Sequence, residues 1–308
     1  MKKHLFLGMM MTAAIALAVT LAGCGGGEPN GPSTNPFKIV FASNRDGGMN
    51  IYSMNLNGSS RTPLTTDSTD SNGTTNSCPE LSPNYTKVLY IKNTSINIEV
   101  RVVNIGGSND ICVTSVSDSA YNYIATWTPA GQILLWVYDG TTVSLKTFDP
   151  TANAIGNTWS TSGITSLSQT NIYAIWMSSK DNTILVSSAS GIYELNVTGT
   201  TVSKQNQITI ADVNSPGLAS WSPDGNMIIF TDSDGTIYSA AADGSKVTTL
   251  ASGYHGAYPF YTPDKTKIIF AGYDSHGSST SYQIFSMSAG GTNINNLTND
   301  GSNNVFGD

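Results

Sequence analysis

The chain has 308 residues and few charged side chains: 14 basic and 21 acidic residues make up 11% of it and give a net charge of −7. Typical soluble domains are about 25% charged. An acidic chain of this kind lacks the basic patch that binding to phosphate backbones requires, so we expect no nucleic-acid partner.

The first 23 residues have the pattern of a secretory signal peptide. Lys2 and Lys3 precede an uncharged, largely apolar stretch at 5–21, and no basic stop-transfer segment follows it. We expect 1–23 to be removed. The removal takes away two lysines and leaves 12 basic and 21 acidic side chains, a net charge near −9.

The end of this stretch reads Leu21-Ala22-Gly23-Cys24 and resembles the lipobox of bacterial lipoproteins. The resemblance implies cleavage before Cys24, a diacylglyceryl group on its sulfur and further acyl chains such as palmitate, which together give stable membrane attachment. Gly25 stands where an inner-membrane retention signal would place aspartate, so the resemblance favours the outer membrane over the inner. The alternative is an ordinary signal peptide followed by a structural cysteine.

Residues 24–36 form a predicted flexible tether. After Cys24 the segment reads GGGEPNGPSTNP, which contains no apolar side chain able to join a core. Fully extended, residues 25–36 would reach roughly 40 Å. The remaining stretch, 37–308, is predicted to form a single domain.

A strand followed by a tight turn recurs along 37–308. In five copies a β-branched residue is followed seven positions later by glycine, and segment 143–150 keeps the same offset with another turn former. The copies are spaced by 43 to 49 residues, a period typical of repeat architectures. The five pairs are Ile51 and Gly58, Val100 and Gly107, Ile192 and Gly199, Ile237 and Gly244, and Ile284 and Gly291.

A second repeated element is a short run of β-branched and aromatic residues that precedes each copy. Continuous apolar runs of this length are typical of strands buried on both faces. Before five of the runs stands a turn, and four of these turns contain proline. The runs lie at 39–41, 88–90, 133–135, 184–186, 228–230 and 268–270.

Each unit therefore predicts four antiparallel strands, and six units predict an all-β, six-bladed β-propeller. The first unit lacks the strand that precedes the apolar run in the other units. We expect residues 303–308, with Val305 and Phe306, to supply that inner strand and close the ring. A ring closed in this way leaves only short edges exposed, and we expect it to be a monomer.

The fifth unit, WSPDGNMIIFTDSDGTIYSAAADGSKVTTL, resembles the repeat of TolB-type (WD40-like) propellers, and SNRDGGMNIYSMNLNG in the first unit resembles the second half of that repeat. The resemblance covers essentially all of 37–308 and implies the fold, whereas propellers host unrelated functions. TolB carries an α/β domain ahead of its propeller and contacts a peptidoglycan-associated lipoprotein; we expect no such domain here. Prolyl oligopeptidases have similar blades beside a hydrolase domain with a Gly-x-Ser-x-Gly elbow, a motif that is missing here.

Cys78 and Cys112 are the two cysteines that follow Cys24, in a compartment that permits disulfides. The predicted blade places them on its innermost and outermost strands, about three strand spacings of 4.8 Å apart. A disulfide needs Cα atoms within roughly 7 Å. The sequence favours two separate thiols but leaves the bridge open.

Polar residues on one predicted rim are the first candidates for ligand binding. Propeller binding faces combine the loops between second and third strands with the connections between blades. His255 lies in the connection that enters the sixth blade, near the expected channel mouth, and a solvated loop residue is its simpler interpretation. The predicted rim comprises Arg45, Asp46, Asp232, Asp234, His255, Asp274 and His276.

We predict no catalytic residue, cofactor or metal site. The mature chain has two histidines and no His-x-x-x-His or Cys-x-x-Cys spacing, which argues against zinc. The segment 232–235, DSDG, opens like a calcium loop but lacks the closing glutamate, so we interpret it as a turn. Trp127, Trp176 and Trp221 lie at or beside inner strands, where burial between blades explains them more simply than sugar stacking does.

The leading functional hypothesis is a lipid-anchored module of the bacterial envelope that binds or scaffolds a partner protein or glycan. It rests on the anchor, the rigid ring and the lack of a recognisable catalytic constellation. One alternative is a propeller enzyme such as a polysaccharide lyase, for which His255 and Asp232 are the best candidate groups. Another is a surface adhesin or a structural spacer.

Overall fold

The computed structural model describes residues 37–69, 73–116, 122–138, 143–161, 172–178, 180–275 and 280–307. The predicted signal peptide and tether, with Cys24, lie outside this range, as does His276. Among the described residues, no helix is long and apolar enough to cross a membrane.

The described residues form six antiparallel sheets of four strands each, so the predicted all-β, six-bladed propeller is confirmed. Sheets two to six take their strands in chain order from the inner strand outward, whereas the first sheet takes its inner strand from the C-terminal end. The first sheet contains β1 (Ile39–Ser43), β2 (Asn50–Met54) and β3 (Thr62–Pro63). The second contains β4 (Thr75–Leu81), β5 (Lys87–Asn93), β6 (Ile98–Asn104) and β7 (Ile111–Val116), and the third β8 (Asn122–Trp127), β9 (Ile133–Tyr138), β10 (Val143–Asp149) and β11 (Ala154–Trp159). The fourth contains β12 (Ile172–Met177), β13 (Thr183–Ser188), β14 (Gly191–Thr198) and β15 (Thr201–Ile208). The fifth contains β16 (Gly217–Trp221), β17 (Met227–Thr231), β18 (Ile237–Ala241) and β19 (Thr248–Ala251). The sixth contains β20 (Ala257–Tyr261), β21 (Lys267–Gly272), β22 (Gln283–Ser288) and β23 (Asn295–Asn296), and the last strand, β24, is Asn304–Val305.

The repeated apolar runs form the second strand of each blade, and both faces of these strands are buried. Successive side chains of a strand point to opposite faces. In β17, Phe230 packs in a cluster with residues of blade four, whereas its neighbour Ile229 packs with residues of blade six. A blade between two others has no solvent-facing side at its centre, and this explains why the runs are continuous instead of alternating.

Six apolar clusters hold the ring together, one between each pair of neighbouring blades. Burying an aliphatic or aromatic side chain of this size contributes about 1.5–3 kcal/mol. The cluster between blades six and one joins Ile39 and Phe41 to Ile269 and Ile284, so the ring is closed by a core and not by loops alone. The other clusters centre on Val40 and Val88, Leu89 and Leu135, Trp136 and Val186, Leu185 and Phe230, and Ile229 and Phe270.

The inner strand of the first blade is β24, which comes from the C-terminal end of the described chain. It pairs with β1 through Ala42 and Val305 and through Ser43 and Asn304. The ring of Phe306 meets that of Phe260 edge to face, with 5.2 Å between the centroids. The two ends of the propeller sequence are therefore joined in one sheet.

Cys78 and Cys112 lie on β4 and β7, the innermost and outermost strands of the second blade. They are not joined by a disulfide. The thiol of Cys112 donates to the carbonyl of Thr114 at 3.4 Å. The sheet order explains the outcome, because β5 and β6 separate the two side chains.

Candidate binding channel

A central cavity of about 740 Å³ runs between the inner strands of the blades. Side chains of β4, β8, β12, β16 and β20 line it, together with Phe37 and Phe306 from the closure region. The Pro-turn residues Pro83, Pro129 and Pro223 also line it, so the cavity reaches the face of the ring formed by the turns between first and second strands. A concave, largely apolar space with few polar groups is typical of a ligand site.

Three inner strands carry the same backbone irregularity where they border the channel. The register shifts between Ser77 and Glu80 in β4, and equivalent shifts occur in β16 and β20. At each shift one residue has a positive φ: 50° at Cys78, 46° at Leu218 and 50° at Tyr258. All three residues line the cavity.

These irregularities are β-bulges, which bend a strand and redirect a side chain. A left-handed conformation costs roughly 1–2 kcal/mol for a residue other than glycine. Such strain persists only where the surrounding structure enforces it, and it is enriched at functional sites. The same bulge occurs in three blades and always at the cavity, which indicates that the bulges shape the channel wall.

Eleven of the described residues that line the channel are aromatic. Trp127 and Trp221 are only 4% and 5% exposed and belong to clusters between blades, so the interpretation of these two as packing residues is confirmed. Both also border the cavity, as do the half-buried Trp176 and the more exposed Tyr173. One set of rings therefore serves as both core and channel lining. The remaining aromatic lining residues are Phe37, Tyr85, Trp136, Tyr258, Phe260, Tyr261 and Phe306.

Glu80 is a half-buried carboxyl on β4 that the sequence analysis missed. Its Oε1 accepts hydrogen bonds from the hydroxyl of Thr126 at 3.1 Å and from the backbone N–H of Trp127 at 3.3 Å. The indole N–H of Trp127 donates to the backbone carbonyl of Glu80 at 3.1 Å. Burial among protein atoms raises the pKa of Glu80 to about 8, and the two hydrogen bonds only partly oppose this effect.

A signal for Glu80 was present in the repeat. The blades can be aligned on the turns between their first and second strands. The positions equivalent to Glu80 in blades three to six are then Thr126, Trp176, Ser220 and Phe260, so Glu80 is the one charged residue of this set. Ser220 repeats the blade-to-blade contact, since its hydroxyl donates to the carbonyl of Pro259 at 2.7 Å. A carboxyl that replaces a small polar or aromatic residue inside a core pattern indicates a site.

The predicted rim residues lie at the opposite end of the strands from the Pro turns, and none of those described lines the cavity. Blades five and six meet closely there: the N–H of Gly256 donates to the carbonyl of Gly235 at 2.8 Å. A Cβ on Gly235, where φ is +74°, would stand 2.6 Å from the Cα of His255. Only glycine permits this approach, which holds His255 beside the turn at 232–235.

Asp232 closes that turn with its own carboxylate. Its Oδ1 accepts the N–H groups of Asp234 at 3.0 Å and Thr236 at 2.8 Å, and its Oδ2 accepts the hydroxyl of Tyr238 at 3.0 Å. The oxygens that a calcium loop would direct at an ion are thus used by the turn. Within the described ranges, no group of three His, Cys, Asp or Glu side chains is arranged to hold a metal.

The other rim residues differ in how exposed their side chains are and in the contacts that they make. Asp234 is exposed, and Asp274 is half-buried. The ring of His255 stacks on that of Tyr273, with 4.5 Å between the centroids. Asp46 is exposed and accepts the hydroxyl of Tyr52 at 2.6 Å.

Arg45 is tied to the closure of the ring. Its guanidinium lies 4.9 Å from the centroid of the Tyr52 ring and 3.0 Å from a carboxylate oxygen of Asp300. Its Nη2 also donates to Oδ1 of Asn304 in β24 at 2.8 Å. The structure therefore gives Arg45 a bracing role beside any role in binding.

No family model matches the chain, and a search of curated proteins likewise found no match. Among solved structures, TolB from Acinetobacter baumannii matches with a TM-score of 0.67 and 14% identity, over 87% of this chain and 65% of that chain. A putative TolB from Agrobacterium tumefaciens matches with a TM-score of 0.60 and 17% identity, over 87% of this chain and 91% of that chain. Hydrazine synthase from Kuenenia stuttgartiensis matches with a TM-score of 0.60 and 14% identity, over 87% of this chain and 46% of that chain.

The chain spans just under two thirds of the length of the Acinetobacter TolB. At these identities the similarity concerns the fold alone. The predicted resemblance to TolB-type propellers is confirmed at that level.

Proposed function

We propose that this protein is a lipid-anchored module of the cell envelope that binds a segment of a partner protein or glycan in its central channel. The observation that carries the proposal is the aromatic cavity of about 740 Å³ enclosed by the inner strands. Aromatic rings offer large contact areas at low conformational cost, and the same faces suit apolar side chains and sugar rings. A closed ring presents them without reorganisation, and this reduces the entropy lost on binding.

The anchor rests on the lipobox resemblance at Cys24, and the tether gives the ring reach from the bilayer. We propose the outer membrane as its location. The predicted rim, with the exposed Asp234 at one edge, is then a second surface that a partner held at the membrane can contact.

Site-specific photo-crosslinking tests the channel. Tyr173 on β12 lines the cavity and is 52% exposed, whereas Ile155 on the outer strand β11 is 71% exposed. With benzoylphenylalanine at position 173, ultraviolet light on intact cells is expected to give a discrete adduct, because a segment bound in the cavity lies beside this side chain. The same residue at position 155 is the matched control and is expected to give none.

A third crosslinker, at the rim position 234, distinguishes binding in the channel from binding at the rim. Adducts from 234 but not from 173 would move the binding site to the rim and overturn the channel proposal, and so would adducts of equal yield from 155 and 173. Digestion of the adduct with protease or with glycan hydrolases identifies the class of partner.

The lipid anchor gives a separate prediction. Replacing Cys24 by serine is expected to abolish incorporation of a clickable palmitate analogue, because no sulfur remains to be acylated, and to prevent cleavage before residue 24, so that the variant keeps the apolar stretch 5–21 and runs as a larger species. Cys112→Ser is the control, since Cys112 is exposed on an outermost strand. Label retained in the Cys24→Ser variant would refute acylation at this position, and density-gradient separation of the wild-type membranes assigns inner or outer membrane.

A further inference from the structure

Glu80 is a carboxyl inside a cavity with many aromatic rings, and none of the described residues is a cationic partner for it. Both of its hydrogen bonds go to Oε1, and no group of the described residues donates to Oε2. Because the half-buried side chain lines the channel, Oε2 is the oxygen that a ligand can reach. An acceptor in this position is free to pair with a donor that arrives from the channel.

The charged and titratable groups around Glu80 do not neutralise it. Its own strand contributes Cys78 to the cavity and β8 contributes Trp127, while the neutral, buried Thr126 contacts Glu80 from behind the wall. Lys38, ahead of β1, is the other charged residue among the described lining residues, and its ammonium group donates to the amide oxygen of Asn55. The lining also includes four phenol groups, of which burial raises the pKa of Tyr261; they belong to Tyr85, Tyr173, Tyr258 and Tyr261. Burial raises the pKa of Glu80 against two hydrogen bonds, and no charged group in the described part of the chain contributes to it.

An organic cation would satisfy both features of this cavity. Ring faces attract a cation that has lost part of its hydration, and a nearby carboxylate adds a Coulomb attraction that low polarity strengthens. A neutral ligand of the same shape gains only the apolar contact. At pH 7 the entering cation displaces the proton of Glu80, so binding of the cation and release of a proton are linked.

We propose that the channel selects a ligand that carries an ammonium or guanidinium group, and that Glu80 is the counter-ion of this group within the aromatic wall. This inference rests on the proposed function of the channel and specifies the chemistry of what enters it. A lysine or arginine side chain of a partner and an amino sugar share that chemistry.

Choline and its neutral isostere 3,3-dimethylbutan-1-ol test the proposal on the acylated full-length protein in detergent. Choline keeps its charge at every pH, so any pH dependence of its binding belongs to the protein. At pH 9 we expect choline to bind at least about tenfold more tightly than the alcohol, as followed by tryptophan fluorescence. Below pH 8 the preference is expected to fall about tenfold per pH unit, because the proton competes for Glu80.

The Glu80→Gln variant keeps an oxygen for Thr126 and Trp127 but removes the charge. It is expected to lose the pH-dependent part of the preference, so that any preference left comes from the ring faces and is the same at every pH. Asp243→Asn, which removes an exposed acid that does not line the cavity, is expected to keep the full preference. Circular dichroism verifies that both variants are folded. Equal binding of the two probes to the wild type, binding of neither, or a pH-dependent preference that survives Glu80→Gln would each overturn the proposal.

The crosslinking experiment distinguishes this inference from the function on which it rests. An adduct at position 173 without a preference for choline retains the channel as a binding site and rejects the cationic ligand. A preference for choline without any adduct retains the cation site and rejects a macromolecular partner in the channel.

Discussion

Deleting residues 301–308 is expected to lower the melting temperature of the entire ring by more than about 10 °C. The deletion removes β24, the ladder partner of β1, and with it Phe306, which is buried in the cluster between blades one and six. Loss of a buried phenylalanine side chain alone costs about 3–5 kcal/mol. Domains of this kind have only about 5–15 kcal/mol of stability in total, so the deletion consumes a large part of it.

The tryptophans make the prediction specific for the ring as a whole. All five lie in blades three to five, away from the closure between blades six and one: Trp127, Trp136, Trp159, Trp176 and Trp221. If the ring unfolds cooperatively, their fluorescence transition and the circular dichroism transition are expected to shift together. Deleting the eight tether residues 25–32 is the control of equal length and is expected to leave both transitions in place. A fluorescence transition unchanged by the loss of 301–308 would mean that the closure frays without weakening the ring.

The architecture could be predicted from the sequence because the signals for it are local and repeated. Ile228-Ile229-Phe230 is apolar without a break, and each of its side chains meets a neighbouring blade. The Pro turns and the glycines seven residues after the β-branched positions then set the strand lengths. Because the pattern is repeated six times, few other folds would bury the second strand of every unit on both faces.

The channel could not be predicted in the same way, because it depends on backbone geometry that the residue types do not specify. Leu218 has a positive φ, yet leucine has no preference for that conformation. Pro79 and Pro259 each follow a bulge residue, and proline within a strand is a known sign of a bulge. That sign is missing at Leu218-Ala219, so the shared irregularity emerges only when the three inner strands are compared in the structure.

The rim shows why polar loop residues are ambiguous in a sequence, since the same side chain can shape its own turn or bind a ligand. Asp232 reads as a candidate ligand in the sequence, but its carboxylate accepts three hydrogen bonds that shape its own turn. Arg45 likewise braces the closure through Asp300 and Asn304. Polar loop residues of a repeat are therefore weaker indicators of a site than one charged residue inside the core pattern, such as Glu80.

Glu80 also gives the stability of the protein a distinctive dependence on pH. Its pKa is raised from 4.5 to about 8 in the folded chain, mainly by burial, whereas in the unfolded chain it is at its ordinary value. Between these two values the folded state holds a proton that the unfolded state has released. The contribution of Glu80 to stability is therefore fully present below pH 4.5 and is lost as the pH rises to 8, by at most about 1.4 kcal/mol per pH unit.

The measurement is the urea midpoint of the wild type and of Glu80→Gln at pH 5, 6.5 and 8. We expect the wild type to lose about 2–3 kcal/mol relative to the variant over this range, a value below the full linkage because the side chain retains contact with the channel. Carboxyls with lowered pKa do not obscure the difference: Lys265 lowers the pKa of Asp224 and Ser245 lowers that of Asp243, so both titrate at more acidic pH and are present in both proteins. Parallel pH profiles for the two proteins would mean that Glu80 is already ionised at pH 5 in the folded state. A steeper loss of unfolding free energy in the wild type would show that ionising Glu80 destabilises the folded ring. A proton or a bound cation removes this cost, and the proposed selectivity of the channel depends on it.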